Sequence, residues 1–379
     1  MYLQIKSLLI AAITVTLVAC DSGSSHRRDN PPPEPQFDFT AVDQRLQQFI
    51  DEDPLFEGIS YTLVEKGLGT IHEAAFGDHT VDIVTMLAST SKVPSVMLLM
   101  ALDSDDSLDF DIDRAVENYL PWEGVYGDRT VGQMLSHTSG IPGLSGLADY
   151  GPHNCQFMPQ VQLQDCARII YNYELPGTEP PETVFDYGGS QWQLAGAVAE
   201  VVSGSTWAQA FDEYIAGPCN LEVFQYGNMW SDLSAWNGSP DSLVGRDNAH
   251  VEGGAISSLQ DYAKILLMHL NDGMCGDNRV MSAEAVAAMR EDRGGPLGTP
   301  YGMGWWIISN DDGSAPTVFY DPGLFGAISW IDIEREIGGF LTVDEYGLGG
   351  SATSVGLVLS ELMDLVAGEV DRARDAVGQ

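Results

Sequence analysis

The sequence predicts an α+β fold in which both ends of the chain build a sheet with flanking helices and the middle forms a mainly helical lobe. Two observations carry this expectation. Apolar residues alternate with a period of two near residues 59–76 and again from 301 to 343, the spacing of strands. Between about residues 103 and 252 that alternation gives way to helical spacing and long Gly/Pro-rich loops. A third observation locates the chemistry: Ser89-Thr90-Ser91-Lys92 opens an apolar run, Val93 to Leu102, in a chain whose only lysines are Lys6, Lys66, Lys92 and Lys264.

Taken in order, the first twenty residues stand apart from the rest. Lys6 supplies a basic start and Ser7 to Val18 an apolar core too short to span a bilayer, the pattern of a signal peptide. It closes on Leu17-Val-Ala-Cys20, which resembles the lipobox of bacterial lipoproteins and implies lipidation at Cys20. Residues 21–37, with Ser-Gly-Ser-Ser and Pro-Pro-Pro-Glu-Pro, have linker composition and predict a disordered tether. The domain is expected from residue 38 to 379, with one lobe from about 38–102 and 253–370 and the helical lobe between. Thr40 caps a first helix with Val42, Leu46, Phe49 and Ile50 on its apolar face. Residues 59–64 and 70–76 pair around the turn Lys66-Gly-Leu-Gly69. Helices are expected at 129–135 and 191–203, strands at 303–308, 317–320, 327–331 and 337–343, and a closing helix at 354–366. The active site is expected in the cleft between the lobes.

Composition narrows the function. A hydrophobic content of 44% can form a core, and a net charge of −38 makes nucleic acid and anionic membrane surfaces poor partners for the folded body. The acidity is spread along the chain and suits a salt-rich environment that screens self-repulsion. Setting Cys20 aside leaves Cys155, Cys166, Cys219 and Cys275; export implies disulfides, and of three pairings Cys155–Cys166 with Cys219–Cys275 is favoured. Neither a Cys-x-x-Cys pair nor a histidine cluster argues for a metal, and no cofactor is expected.

Residues at i and i+3 share a helix face, so the Ser89 hydroxyl and the Lys92 amine can meet. Burial in the apolar run is expected to lower the lysine pKa and give a base beside a nucleophile. With Ser89-x-x-Lys92 come Val131-Gly-Gln-Met-Leu-Ser-His-Thr-Ser-Gly-Ile-Pro142, Phe185-Asp-Tyr187-Gly-Gly-Ser190, Gly253-Gly-Ala-Ile-Ser-Ser-Leu-Gln-Asp261 and Tyr301-Gly-Met-Gly-Trp305. In this order they resemble the class C-like branch of the serine β-lactamase and penicillin-binding-protein superfamily, which includes family VIII esterases and D-Ala-D-Ala carboxypeptidase-like proteins. The resemblance spans about residues 38–367. It implies a β-lactamase/transpeptidase-like fold with an antiparallel sheet and a serine hydrolase that works through an acyl-enzyme.

The resemblance also assigns roles. Ser89 would be the nucleophile, Lys92 and Tyr187 the proton-transfer pair, and the backbone N–H groups of Ser89 and Leu324 the oxyanion hole. His137 would sit in a buried loop that supports the site. Two departures redirect the substrate. The family's Tyr-x-Asn has Gly189 in third place, leaving Ser190 or Gln191 as candidate replacements for the amide. Its cationic strand motif is here Asp321-Pro322-Gly323, with Asp321 facing either substrate or solvent. The expected activity is therefore esterase- or amidase-like, on a small neutral ester or amide. The alternatives are a β-lactamase or D-Ala-D-Ala carboxypeptidase, and a catalytically weak binding protein of the cell envelope. The expected setting is a monomer in the bacterial envelope, facing the periplasm or exterior and touching the membrane only through its lipid anchor.

Overall fold

The structure, a computed structural model, describes residues 34–52, 55–144, 150–310, 312–346 and 351–378. The expected signal peptide, Cys20 and the tether up to residue 33 lie outside them. Along the chain the helices are α1 (Thr40–Glu52), α2 (Lys92–Asp103), α3 (Val131–Leu135), α4 (Leu163–Asn172), α5 (Gln191–Ser203), α6 (Trp207–Phe211), α7 (Gly217–Cys219), α8 (Leu259–Leu270), α9 (Ala283–Ala288) and α10 (Ser351–Val377). The strands are β1 (Gly58–Glu65), β2 (Gly69–Gly77), β3 (Val84–Met86), β4 (Gln225–Tyr226), β5 (Ala255–Ser258), β6 (Met274–Cys275), β7 (Asn278–Arg279), β8 (Trp306–Ile308), β9 (Val318–Pro322), β10 (Ile328–Asp332) and β11 (Ile337–Thr342).

The main sheet has the antiparallel order β2-β1-β11-β10-β9-β8 and joins the two ends of the chain, as the sequence pattern predicts. All eight residues of β1 are buried, because helices cover both sheet faces. The strand period sorts side chains between two cores. Tyr61, Leu63, Trp330 and Leu341 pack with Leu46 of α1 and Leu359 and Leu362 of α10. Val64, Ile331 and Phe340 face the other way, toward α2 and α8.

The middle segment is not wholly helical. Its short β4 pairs with β5, which also pairs with β3, and this three-stranded sheet ties the lobe to the turn before α2. Both favoured disulfides are present, Cys155–Cys166 and Cys219–Cys275. At Asp261, the last residue of the Gly-Gly-x-x-Ser-Ser motif, the carboxylate accepts N–H bonds from Glu222, Val223 and Phe224 at 2.7–3.0 Å. The chain entering β4 is thereby fastened to α8.

Three boundaries differ from expectation. Pro35 is buried and Phe37 stacks on Phe39 at 5.6 Å, so the expected tether ends before residue 37 because aromatic packing recruits its last residues. The strand expected from residue 303 begins at Trp306. The Gly302 N–H bonds to Trp305 O, and Gly304, at φ +80°, turns the backbone so closely onto α2 that a Cβ there would lie 3.1 Å from Val93 Cα. Helix α10 runs eleven residues past the apolar stretch expected to end at residue 366. Val370 and Ala373 continue its buried face, and its polar side is held by the Arg372–Glu369, Arg335–Asp371 and Arg374–Glu65 ion pairs.

Asp261→Ala leaves three N–H groups without their acceptor. It is expected to destabilise the fold by about 3 kcal/mol or more, measured as a shift in the urea unfolding midpoint at unchanged slope.

Candidate active site

Ser89 sits in a single 3₁₀ turn, Ala88–Ser91, that runs directly into α2. The turn is entered through Ala88, a non-glycine residue at φ +46°. Thr90 fixes it against the main sheet by donating its hydroxyl to Asp321 O at 3.1 Å and Ala327 O at 2.8 Å. The strain at Ala88 is thus held by the packing around it. Ser89 is left partly exposed while Lys92, three residues on, is fully buried.

Lys92 Nζ donates to Ser89 Oγ at 3.1 Å and to the backbone carbonyl of Glu252 at 3.2 Å. It also lies 3.2 Å from Glu252 Oε2 and 4.5 Å from the Tyr187 ring centre. The Tyr187 hydroxyl faces both Ser89 and Lys92. The structure therefore brings the three expected residues together. It corrects the expected charge of the lysine. Burial does press its pKa down, but Tyr187 and Asp321, which take negative charge only as pH rises, together with the Glu252 carboxylate 3.2 Å away outweigh burial, so Lys92 is held above its ordinary value. Burial likewise raises the Tyr187 phenol. At neutral pH the pair rests as an ammonium and a neutral phenol.

Glu252 escaped the sequence reading, although it directly precedes the Gly253-Gly254 motif. It is 3% exposed and lies between the expected parts. Oε1 accepts the Gly189 N–H at 2.9 Å while Oε2 faces Lys92. The Gly188-Gly189 pair makes this possible. A Cβ on Gly188 would stand 2.8 Å from Glu252 Oε2, and a Cβ on Gly189 would stand 2.1 Å from the Tyr150 hydroxyl. Both glycines also hold positive φ, +77° and +88°. The asparagine of the Tyr-x-Asn pattern has no room here: Tyr150 fills its place and Glu252 takes the backbone contact.

Neither candidate replacement for the amide reaches the pocket. Ser190 Oγ is bound to His153 Nδ1 at 2.7 Å. The Gln191 side chain bonds to Gly188 O, Asp186 O and Ser139 Oγ, so both are spent inside the lobe. His137, in the left-handed region at φ +61°, accepts the Gly188 N–H through Nδ1 at 3.0 Å and packs 4.5 Å from Tyr187, centre to centre. Burial lowers its pKa well below the usual imidazole value, so it supports the tyrosine turn as a neutral ring.

On β9, Asp321 is fully buried and its side chain faces Lys92 and the head of α2, while the next residue, Pro322, lines the pocket. Asp321 thus neither contacts solvent nor lines the substrate cavity. Burial raises its pKa well above the carboxylate range and keeps it protonated. A Cβ on Gly323 would lie 2.1 Å from Leu87 O, so glycine is what lets β9 approach the nucleophile turn. Leu324, the residue after it, lines the same pocket as Ser89.

That pocket holds about 550 Å³. Leu144, Phe157, Trp230, Trp306, Pro322 and Leu324 form its apolar wall, and Ser89, Tyr187, His250 and Glu252 its polar floor. His250, stacked on Phe157 at 5.3 Å, has its pKa pushed down to about 3 by burial and is neutral. Among the described residues no cation other than Lys92 lies at this floor. No group of three or more His, Cys, Asp or Glu among them could hold a metal ion.

A methyl group at residue 189 tests the fit with Tyr150. Gly189→Ala is expected to cost about 2 kcal/mol in a urea titration, and at least about 1 kcal/mol less when Tyr150→Phe removes the opposing hydroxyl.

The sequence model of the Beta-lactamase family matches residues 46–354, most of the chain. Penicillin-binding protein 4 of Amycolatopsis lactamdurans is 28% identical over 313 residues, 76% of either chain. Among solved structures, a β-lactamase candidate from Bacteroides dorei superposes with a TM-score of 0.68 at 25% identity, covering 89% of this chain and 100% of its own. EstCE1, a hydrolase with promiscuous acyltransferase activity, gives 0.68 at 16% identity, covering 86% of this chain and 100% of its own. The family match, the fold and the meeting of Ser89, Lys92 and Tyr187 lead to one conclusion: the chain belongs to the β-lactamase family of serine hydrolases.

Proposed function

We propose that this serine hydrolase acts on small, uncharged, apolar esters or amides through an acyl-enzyme on Ser89. The observation that carries the reading is the pocket: an apolar wall over a floor whose charge is the Lys92–Glu252 ion pair. A β-lactam or a peptidyl-D-alanine brings a carboxylate. The place of the receiving cation in the motif is taken by Asp321, buried and protonated, Pro322 presents carbon to the pocket, and the carboxylate that such a substrate meets is Glu252. Repulsion between two carboxylates at 4 Å is at least about 1 kcal/mol even with the screening of bulk water, and Lys92 offsets only part of it. The carboxylate that opposes such a substrate is therefore Glu252 and not the buried Asp321.

In this reading Ser89 Oγ attacks the carbonyl carbon and its proton passes to the Lys92–Tyr187 pair. The N–H groups of Ser89 and Leu324 receive the oxyanion, with roughly 3 kcal/mol of transition-state stabilisation per donor. Tyr187 then protonates the leaving group, and a water activated by the same pair releases the acyl group. At the other end of the chain, Cys20 is proposed as the lipidated anchor that holds the domain at the envelope. A monomer suffices for this chemistry, since all its groups come from one chain.

Three outcomes test this reading. Ser89→Ala is expected to abolish labelling by a fluorophosphonate probe. The wild type is expected to hydrolyse p-nitrophenyl butyrate with kcat/KM at least about 100-fold above that for nitrocefin; fast nitrocefin turnover without ester turnover would reverse the substrate assignment. Cys20→Ser is expected to move the protein from the membrane pellet to the soluble fraction, and unchanged fractionation would remove the anchor.

A further inference from the structure

Lys92 as an ammonium poses a chemical problem, because a group that donates its hydrogens to Ser89 Oγ has no lone pair to accept the serine proton. The acceptor has to be sought among the groups that face it. From the 3₁₀ turn comes Ser89, and from the loop before α5 and from α5 itself come Tyr187 and Trp192. From the loop after α3 comes His137, from β9 Asp321, and from the segment before β5 His250 and Glu252. Trp192 carries no base. Tyr187 and Asp321 hold their protons, and the Nδ1 lone pair of His137 is already engaged by the Gly188 N–H. His250 Nε2 stands 3.9 Å from Glu252 Oε1, beyond hydrogen-bond distance, and the hydrogen bonds of Nζ go to Ser89 Oγ and Glu252 O.

Glu252 remains. Its Oε2 is 3.2 Å from Nζ and, among the described residues, accepts no hydrogen bond. Its Oε1 and its backbone carbonyl are tied to Gly189 N–H and to Nζ, so the carboxylate is fixed at the lysine rather than drifting in the pocket.

We propose that Glu252 is the terminal proton acceptor of acylation, acting through Lys92. As the Ser89 Oγ–carbon bond forms, one Nζ–H proton moves to Glu252 Oε2 and the lone pair so freed on Nζ takes the Ser89 proton. Lys92 ends as the ammonium it began as, Glu252 ends as a carboxylic acid, and the negative charge of the carboxylate has moved to the substrate oxyanion. Collapse of that intermediate passes the Glu252 proton back through Lys92 and Tyr187 to the leaving group, so that Glu252 is a carboxylate and Tyr187 a phenol again, and deacylation by water repeats the transfer. The proposal rests on acylation at Ser89.

The test uses the full chain as wild type, Glu252→Gln and Glu252→Asp. The amide of the Glu252→Gln variant retains an acceptor for the Gly189 N–H but loses the basic oxygen and the charge that faces Lys92. Each variant is followed by the rate of fluorophosphonate labelling and by kcat/KM for p-nitrophenyl butyrate from pH 5 to 10, with the thermal midpoint as a control on folding. The expected result for Glu252→Gln is a loss of about 100-fold at pH 7 that recovers as pH rises, because without the Glu252 charge burial lets Lys92 shed its proton at lower pH than in the wild type, moving the acid limb upward by about one unit or more. Glu252→Asp is expected to lose less and to keep the wild-type limb. Wild-type rates for Glu252→Gln at pH 7, or an equal loss at every pH, overturn the relay. Failure of the wild type to label at Ser89 overturns the acyl-enzyme reading along with it.

Discussion

The buried ion pair between Lys92 and Glu252 is the constraint around which this site is built. Removing two charges from water costs several kcal/mol per ion unless each finds close partners. Here each does. The ammonium has the serine hydroxyl, the Glu252 carbonyl and the carboxylate; the carboxylate has the lysine and the Gly189 N–H. The pair joins the head of α2, the tyrosine turn before α5 and the segment before β5. These three pieces lie far apart in sequence and converge only in the folded cleft.

Much of the neighbouring chemistry follows from that pair. Its nearness to Gly188 excludes a side chain there, and the Tyr150 hydroxyl excludes one at Gly189. With the pair supplying the charge of the floor, Asp321 is free to be buried as a neutral acid and Pro322 to present a carbon surface. The histidines nearby are desolvated and neutral, so they shape the cavity as aromatic bodies. The serine thus faces an apolar chamber of about 550 Å³ whose polarity is concentrated at its floor.

The parts legible in sequence were those written locally. Ser89 and Lys92 are one helical turn apart, the strands announce themselves by alternation, and Cys155 and Cys166 close a short loop. Tyr187 was legible through its motif. What was not legible depended on distant contact. Burial of Lys92 could be read from the apolar run Val93–Leu102, but its charge is decided by Glu252, which no local spacing connects to it. Whether Asp321 looks into the cavity or away from it depends on strand register, and one residue reverses the answer. Gly189 looked like a lost function because its filler, Tyr150, lies in another loop. Ser190 and Gln191 looked available because their partners, His153 and Ser139, are also elsewhere in the chain.

The central claim, that Lys92 is a charged partner of Glu252 in the resting enzyme, can be measured directly because the chain has only four lysines. With ¹³C-labelled lysine, the Cε resonance of Lys92, assigned through Lys92→Arg, can be followed against pH in the unliganded protein. The account predicts no titration of this signal below about pH 10, since the lysine is held above its ordinary value. A titration with its midpoint between about pH 6 and 8 would show a lysine that rests as the neutral amine and would contradict the account.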